Sequence, residues 1–184
     1  AGYECASQRR GNGQRLDLQA STGHARWAAN DYQQLAHLGI ACARDGLRWH
    51  VIETRPGHYD WSSFLPLLHA ARRHGIQVIW DLCHYGYPDD LDIGRPAFVE
   101  RFARFAGAVA RLMKEEGFDE PVYCPINEIS FWSWAGGIAR RGCSAMPMQR
   151  AAVLPITRCM RRSGPWVTSM TAGVKDGKGR RSLN

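Results

Sequence analysis

Apolar residues along this chain follow two rhythms, one of short apolar blocks and one of longer segments with helical spacing. Apolar positions at three- to five-residue spacing predict helices at His24–Leu38, Trp61–His74 and Ala97–Glu116. Short apolar blocks predict strands at Gly2–Ala6, within Ile40–Trp49, at Ile76–Cys83 and at Val122–Ile126. The segment Asp17–Thr22 lacks both rhythms, which predicts a loop or an extended stretch.

Boundary residues support this division. Each predicted helix is followed by a glycine, the residue that best tolerates the left-handed backbone of a helix end: Gly39, Gly75 and Gly117. Asp60 is suited to cap the second helix, and Pro96 is suited to the first turn of the third. Pro56-Gly57 predicts a turn between the second strand and the second helix.

The alternation of strands and helices predicts an α/β fold with a parallel sheet and right-handed crossovers. Such units build either an open doubly wound sheet or an eight-stranded barrel. No glycine-rich phosphate loop follows any predicted strand, which argues against nucleotide binding. Polar and aromatic residues follow the strands instead: Arg44 and Arg48-Trp49-His50, then His84-Tyr85, then Asn127-Glu128. In a barrel, ligands bind at this edge.

The 184 residues, of which 45% are hydrophobic and 22% charged, are typical of one soluble globular domain. No stretch is apolar for the eighteen residues of a membrane span, and no basic-then-apolar leader is visible. We therefore expect a cytoplasmic protein with no membrane partner.

The net charge of +7 is unevenly distributed. Residues 138–184 carry ten lysines and arginines against the single acid Asp176, a charge of +9, which leaves −2 for residues 1–137. We expect residues 1–137 to form the fold and residues 138–184 to be a disordered basic tail, whose abrupt change in character suggests a shifted reading frame. The tail lacks zinc-ligand spacing and interleaved aromatics, so a nucleic-acid partner is not favoured.

Six cysteines are present and none forms a CxxC pair. The first four fall one in each predicted strand: Cys5, Cys42, Cys83 and Cys124. A thiol in a strand usually behaves as a small buried hydrophobe, so we expect free cysteines in a reducing compartment. The sequence predicts no metal site and no cofactor.

Asn127-Glu128 closes the last predicted strand. A carboxylic acid at the mouth of a buried strand is costly to place unless it has a function, and the neighbouring amide is suited to a sugar hydroxyl. Carboxylates placed in this way carry out glycoside hydrolysis.

Residues 36–136 resemble the retaining glycoside hydrolases of the barrel clan that includes family 1, the β-glucosidases and β-galactosidases. The family has an arginine at the end of strand two with a tryptophan five positions later, a histidine and an aromatic residue after strand three, and asparagine-glutamate after strand four. The matching residues are Arg44 and Trp49, His84-Tyr85, and Asn127-Glu128. Ile129 and Val51 stand where the family usually has proline and arginine.

The resemblance implies a role for each matching residue. Glu128 would be the catalytic acid and later the base, Asn127 would bind the sugar 2-hydroxyl, and Arg44 would face the nucleophile. His84 would bind a sugar hydroxyl. Trp132 or Trp134 would stack on a sugar face.

The resemblance also implies an incomplete (β/α)8 barrel of about four units that binds a β-linked glycoside or oligosaccharide. The family nucleophile, a glutamate near strand seven, has no counterpart here, so we expect the chain as written to be inactive. Open barrel edges would favour self-association.

Simpler interpretations stay open at this stage, and Glu128 would also be explained as an exposed acid of a loop. Arg44 would also be explained by an ion pair with Asp45 or Asp81, and His84 by a place in the core. The tryptophans would also be explained as caps of the barrel. Two other functions compete, a carbohydrate-binding remnant without turnover and an interaction protein that acts through its basic tail.

Overall fold

The computed structural model describes residues 1–10, 12–129 and 131. Its helices are α1 (Leu18–Ser21), α2 (His24–His37), α3 (Trp49–Ile52), α4 (Leu65–Arg73) and α5 (Pro96–Glu115), with a 3₁₀ turn at Trp61–Ser63. Its strands are β1 (Ser7–Arg9), β2 (Arg15–Asp17), β3 (Cys42–Gly46), β4 (Glu53–Arg55), β5 (His58–Tyr59), β6 (Gln77–Asp81) and β7 (Val122–Cys124). Within these residues no helix is both long and apolar enough to span a bilayer.

The central sheet is parallel, with strand order β3-β6-β7. Its register aligns Gly46 with Asp81 and Asp81 with Cys124, so one row of residues crosses all three strands near their carboxyl ends. The crossovers run through α4 between β3 and β6 and through α5 between β6 and β7. The α/β prediction and its parallel sheet are confirmed. The described sheet does not close, and the four-unit half-barrel stays a prediction.

The predicted first strand, Gly2–Ala6, joins this sheet through a single bridge from Gly2 to Arg44. The Tyr3 amide still donates to the Arg44 carbonyl at 2.8 Å. The Ala6 amide turns away and donates to the Glu4 carboxylate at 2.9 Å. At the next position of β3, the Gly46 amide donates to the Asp45 side chain and the Gly46 carbonyl accepts from Gln19, each at 2.7 Å, and the strand pairing ends there.

Two hairpins were not predicted. β1 and β2 pair antiparallel, and α1 follows at once because the Asp17 side chain caps it by accepting from the Ala20 amide at 3.1 Å. The loop predicted at Asp17–Thr22 is thus mostly a short capped helix. The turn predicted at Pro56-Gly57 is confirmed, but it joins the antiparallel strands β4 and β5.

The three predicted helices are confirmed to within a few residues. The second begins as the 3₁₀ turn, where the Asp60 carboxylate accepts from the Ser62 amide at 2.9 Å, and continues as α4. Pro96 occupies the first position of α5, where its missing N–H leaves no bond unmade.

The core lies between the sheet and these helices. Trp49 is fully buried and stacks on Phe105 of α5 with ring centroids 5.2 Å apart, so its role is packing. Trp80 of β6 meets Phe64 edge-on at 4.9 Å. Because side chains alternate along a strand, Asp45 faces the helices and Arg44 faces the opposite side of the sheet.

The prediction of buried free thiols is right for two of the four described cysteines. All four are free, but Cys42 is exposed and Cys124 is half-buried, whereas Cys5 and Cys83 are buried. Cys42 begins β3 on the face that Arg44 shares, which leaves its thiol open to solvent at that end of the sheet. The tail at 138–184 lies outside the described residues.

Candidate functional site

The face of the sheet opposite α4 and α5 carries a row of small and polar residues at the carboxyl ends of the strands. Gly46, Asp81 and Cys124 form this row. The parallel pairing continues past the strands, because the Leu82 amide donates to the Cys124 carbonyl at 2.9 Å and the Asn127 amide to the Cys83 carbonyl at 3.0 Å. These loop bonds hold the segments after β6 and β7 side by side.

Arg44 is the anchor of the site. Its Nε donates to Asp81 Oδ1 at 2.9 Å, and its Nη2 lies 2.8 Å from Asp81 Oδ2, a bidentate ion pair with a fully buried carboxylate. The interaction with Asp81 raises the pKa of Arg44 above its usual value. Of the two simple partners open for Arg44, Asp81 is therefore the one it binds, while Asp45 faces the helices.

Asn127 links Arg44 to His84. Arg44 Nη2 donates to Asn127 Oδ1 at 2.6 Å, and Asn127 Nδ2 lies 2.9 Å from His84 Nε2. Because the amide oxygen is taken by arginine, its NH₂ group must face the imidazole, and Nε2 must accept. The single proton of a neutral His84 is then on Nδ1. Burial lowers the pKa of His84 below its usual value, which agrees with this neutral form.

Glu128 joins this chain through Tyr85. The Tyr85 hydroxyl donates to Glu128 Oε2 and accepts from Asn127 Nδ2 at 3.3 Å. Burial, followed by the bond with Glu128, raises the pKa of Tyr85 to about 12, so the hydroxyl keeps its proton. Tyr85 and Glu128 have φ of 64° and 46° and are the non-glycine residues with positive φ in the described part of the chain. Such strain is concentrated at functional sites.

The structure thus brings Arg44, His84, Asn127 and Glu128 to one edge of the sheet. Glu128 is exposed and Asn127 is buried, so the carboxylate projects into solvent next to a residue held in place by its neighbours. The predicted stacking residues Trp132 and Trp134 lie outside the described residues, and their roles remain predictions.

Four residues of the site were not among the predicted site residues. Asp81 closes β6 on the same face as Arg44, a placement that the two-residue alternation of that strand would have revealed. Tyr85 carried a family match but no role. Glu4 and Cys5 reach the site from the first segment, with Glu4 Oε1 and Cys5 Sγ at 3.5 Å and 3.2 Å from His84 Nδ1.

The arrangement offers fixed donors and acceptors around an exposed carboxylate. Asn127 and His84 present polar groups whose orientations are set by Arg44. Glu128 lies beside them: its Oε2 accepts from the Tyr85 hydroxyl, and its other carboxylate oxygen takes no part in that bond. A polyhydroxylated ligand suits such a surface because each hydroxyl both donates and accepts.

Solved structures that share this fold include a β-glycosidase and a family 1 β-glucosidase. The β-glycosidase BGL167 matches with a TM-score of 0.61 at 20% identity, over 79% of this chain and 42% of that one. The AHE enzyme from Alicyclobacillus herbarius matches with a TM-score of 0.61 at 20% identity, over 77% and 35%. A family 1 β-glucosidase from Thermotoga maritima, which has also been solved with isofagomine lactam and with cyclophellitol, gives 0.61 at 16%, over 76% and 34%.

No family profile and no curated protein matches the sequence. The chain spans between about a third and two fifths of the solved structures that it matches. The likeness establishes a fold shared with part of a family 1 β-glucosidase, and it confirms the resemblance that the strand-end residues predicted.

Proposed function

We propose that this chain carries the acid side of a β-glycoside-binding site of the retaining glycoside hydrolase type. The observation that supports this proposal best is the continuous polar chain from Arg44 through Asn127 to His84, with Glu128 attached through Tyr85. Arg44 lies in β3, the other residues follow β6 and β7, and the fold is shared with part of a family 1 β-glucosidase.

In this proposal each group acts where the geometry puts it. Asn127 and His84 hold sugar hydroxyls, and their own bonds fix which atoms donate and which accept. Glu128 protonates the departing glycosidic oxygen, a step that general acids accelerate by about 10²–10⁴-fold. Arg44 is held by Asp81 and keeps the Asn127 amide in one orientation.

Hydrolysis with retention needs a second carboxylate, about 5 Å from the first, to form the glycosyl-enzyme. Our assignment gives the acid role to Glu128 and leaves the nucleophile without a residue. We therefore expect sugar binding from this chain and turnover only where a second carboxylate completes the site.

The test measures binding of isofagomine lactam to the full chain by calorimetry, together with turnover of an aryl β-glucoside. We expect saturable binding that Asn127→Ala weakens at least tenfold, and no turnover that depends on Glu128. The matched control is Glu100→Gln, an exposed carboxylate of α5 away from the site.

Two outcomes would contradict the proposal in different ways. Absence of binding, or equal binding by the Asn127→Ala protein, would remove the sugar site altogether. Turnover abolished by Glu128→Gln would mean that another carboxylate of the chain acts as nucleophile, and Glu4→Gln would then be examined first.

A further inference from the structure

Three side chains that can bind metal ions lie close together at the His84 end of the chain of bonds from Arg44 through Asn127. Cys5 Sγ lies 3.2 Å from His84 Nδ1 and 3.5 Å from Asp81 Oδ2, and His84 Nδ1 lies 3.5 Å from the same carboxylate oxygen. Together they offer one sulfur, one nitrogen and one oxygen within 4.8 Å of one another. Spacing along the sequence does not reveal this group, because Cys5 and Asp81 are 76 positions apart.

The size of this triangle is that of a tetrahedral zinc site. Zinc bonds of about 2.3 Å to sulfur and 2.0–2.2 Å to nitrogen or oxygen, at tetrahedral angles, place neighbouring ligand atoms about 3.3–3.6 Å apart. The two edges to Asp81 Oδ2, both 3.5 Å, lie in that range, and the sulfur-to-nitrogen edge of 3.2 Å would lengthen by about 0.3 Å on binding. We propose that Cys5, Asp81 and His84 bind a zinc ion or a similar thiophilic divalent cation.

The surroundings fit such an ion. Glu4 Oε1 lies 3.5 Å from His84 Nδ1 on a half-exposed side chain, outside the group of three ligands, and marks the side open to solvent. Arg44 holds both oxygens of Asp81, with Nε bonded to Oδ1 and Nη2 2.8 Å from Oδ2, so the ligand atom Oδ2 would use its second lone pair for the metal. The thiolate and two carboxylates supply three negative charges, and a divalent ion with Arg44 supplies three positive ones.

Gly46 leaves space for the thiol. A Cβ at this position would lie 2.5 Å from Cys5 Sγ and 3.1 Å from Asp81 Cβ. The absence of a side chain at Gly46 therefore lets Cys5 and Asp81 approach each other beneath His84.

Metal binding would rearrange protons in a defined way. Cys5 would release its S–H proton to solvent, because the thiolate is the ligand. His84 would bind through Nδ1, so its ring proton would move to Nε2, where the NH₂ group of Asn127 now donates. That hydrogen bond would break. If the proposed sugar-binding function holds, zinc therefore inhibits sugar binding at the same site.

The direct test is cobalt substitution in the reduced, metal-free full chain. We expect the intense visible bands of four-coordinate cobalt and a thiolate-to-cobalt charge-transfer band, both displaced by zinc. Cys5→Ser should lose the charge-transfer band and weaken binding by more than the roughly 10–100-fold that loss of an outer partner costs. Cys83→Ser, which removes a buried thiol that bonds the Gly86 carbonyl, should keep the band.

X-ray absorption of the wild-type zinc complex identifies the ligand atoms directly and does not depend on whether a variant folds. One sulfur with two or three nitrogen or oxygen neighbours is expected. A band that survives Cys5→Ser, a shell without sulfur, or no saturable binding of either metal would overturn the site.

The link to sugar is tested separately with isofagomine lactam. We expect zinc to weaken its binding in the wild type and to have no effect in Cys5→Ser. Cobalt spectra without sugar binding would leave the metal site standing and refute the sugar function. Sugar binding unchanged by bound zinc would refute the inhibition.

Discussion

At the scale of single residues, the site depends on two strained positions that hold each other. Tyr85 and Glu128 both adopt positive φ, which bulky and charged residues rarely do, and a hydrogen bond joins their side chains. Sequence reasoning placed Glu128 at a strand end but gave no sign of this backbone, because nothing in a Tyr or Glu side chain favours it. Only the surrounding contacts determine it.

The hydroxyl of Tyr85 is therefore expected to position Glu128. Tyr85→Phe removes the donor to Glu128 and the acceptor for Asn127 while keeping the ring. We expect a loss of about 0.5–1.5 kcal/mol in the free energy of unfolding, measured with urea, and weaker binding of isofagomine lactam. Wild-type affinity in the Phe variant would show that Tyr85 does not shape the site.

Gly46 gives a second prediction at this scale. Gly46→Ala places a methyl group 2.5 Å from the Cys5 sulfur, and we expect a cost of about 1–3 kcal/mol in unfolding free energy. Gly107→Ala is the control, because its Cβ meets only the tip of Arg111 at 3.6 Å in α5, where alanine is favoured by about 1 kcal/mol. Denaturant unfolding of both proteins checks the contrast, and equal stability of the two would refute the crowding at Gly46.

At the scale of elements, a buried ion network joins α2 to β3. His24 lies with Nδ1 2.6 Å from Asp31 and Nε2 2.8 Å from Asp45. Asp45 also accepts from the Tyr32 hydroxyl at 2.7 Å, and Tyr3 stacks on the His24 ring at 4.0 Å. Since both ring nitrogens face carboxylates, the imidazole is held in its doubly protonated form.

This network predicts a pH dependence of stability. Burial by itself would lower the pKa of His24, but the hydrogen bonds and charges of Asp45 and Asp31 outweigh it and raise the pKa. A pKa that is higher in the folded state stabilises the protein fully below the unfolded value of about 6.5, and the contribution is lost as pH rises through the folded value.

We therefore expect the free energy of unfolding to fall as pH rises from about 6.5 through the higher folded-state pKa of His24, measured by urea denaturation at a series of pH values. His24→Gln should flatten this slope. His37→Gln, at the exposed end of the same helix, should leave it unchanged. A wild-type slope that persists in the His24→Gln protein would assign it to other groups.

The elements themselves could largely be predicted from the sequence, and the exceptions have physical causes. Periodicity located α2, α4 and α5 because each buries one apolar face. It missed β1, β2 and α1, since these short elements carry few apolar residues and depend on local bonds such as the Asp17 cap. The strand at Gly2–Ala6 was overestimated because the backbone groups of Gly46, the next pairing position in β3, bond to the side chains of Asp45 and Gln19.

At the scale of the whole molecule, the sheet orders the site more completely than sequence reasoning could. Strand ends predicted that Arg44, His84 and Asn127 would meet, and they do. The sequence left Asp45 and Asp81 open as partners of Arg44, and the choice of Asp81, like the place of Cys5 beneath His84, depends on which strands are neighbours. Pairing between distant segments has no local signature, so these contacts became visible only in three dimensions.

The sheet also predicts self-association. In the described residues β7 pairs with β6 alone, and Val122 at its start is 40% exposed. An unpaired strand edge with an apolar side chain tends to recruit another chain. We expect concentration-dependent association by analytical ultracentrifugation that Val122→Lys reduces, with Leu38→Lys as the control for removing exposed apolar surface at the end of α2. Equal association of the Val122→Lys protein would place the contact elsewhere.

The bonds among Arg44, Asn127 and His84 have a thermodynamic consequence for any ligand. These side chains are already hydrogen-bonded to one another, so the entropy of ordering them is lost when the protein folds and not when the ligand binds. A ligand that contacts them has to immobilise few further side chains. The binding free energy is therefore not reduced by the about 0.5–1.5 kcal/mol that immobilising each of them would cost. Weak individual contacts with hydroxyl groups are then sufficient for measurable affinity.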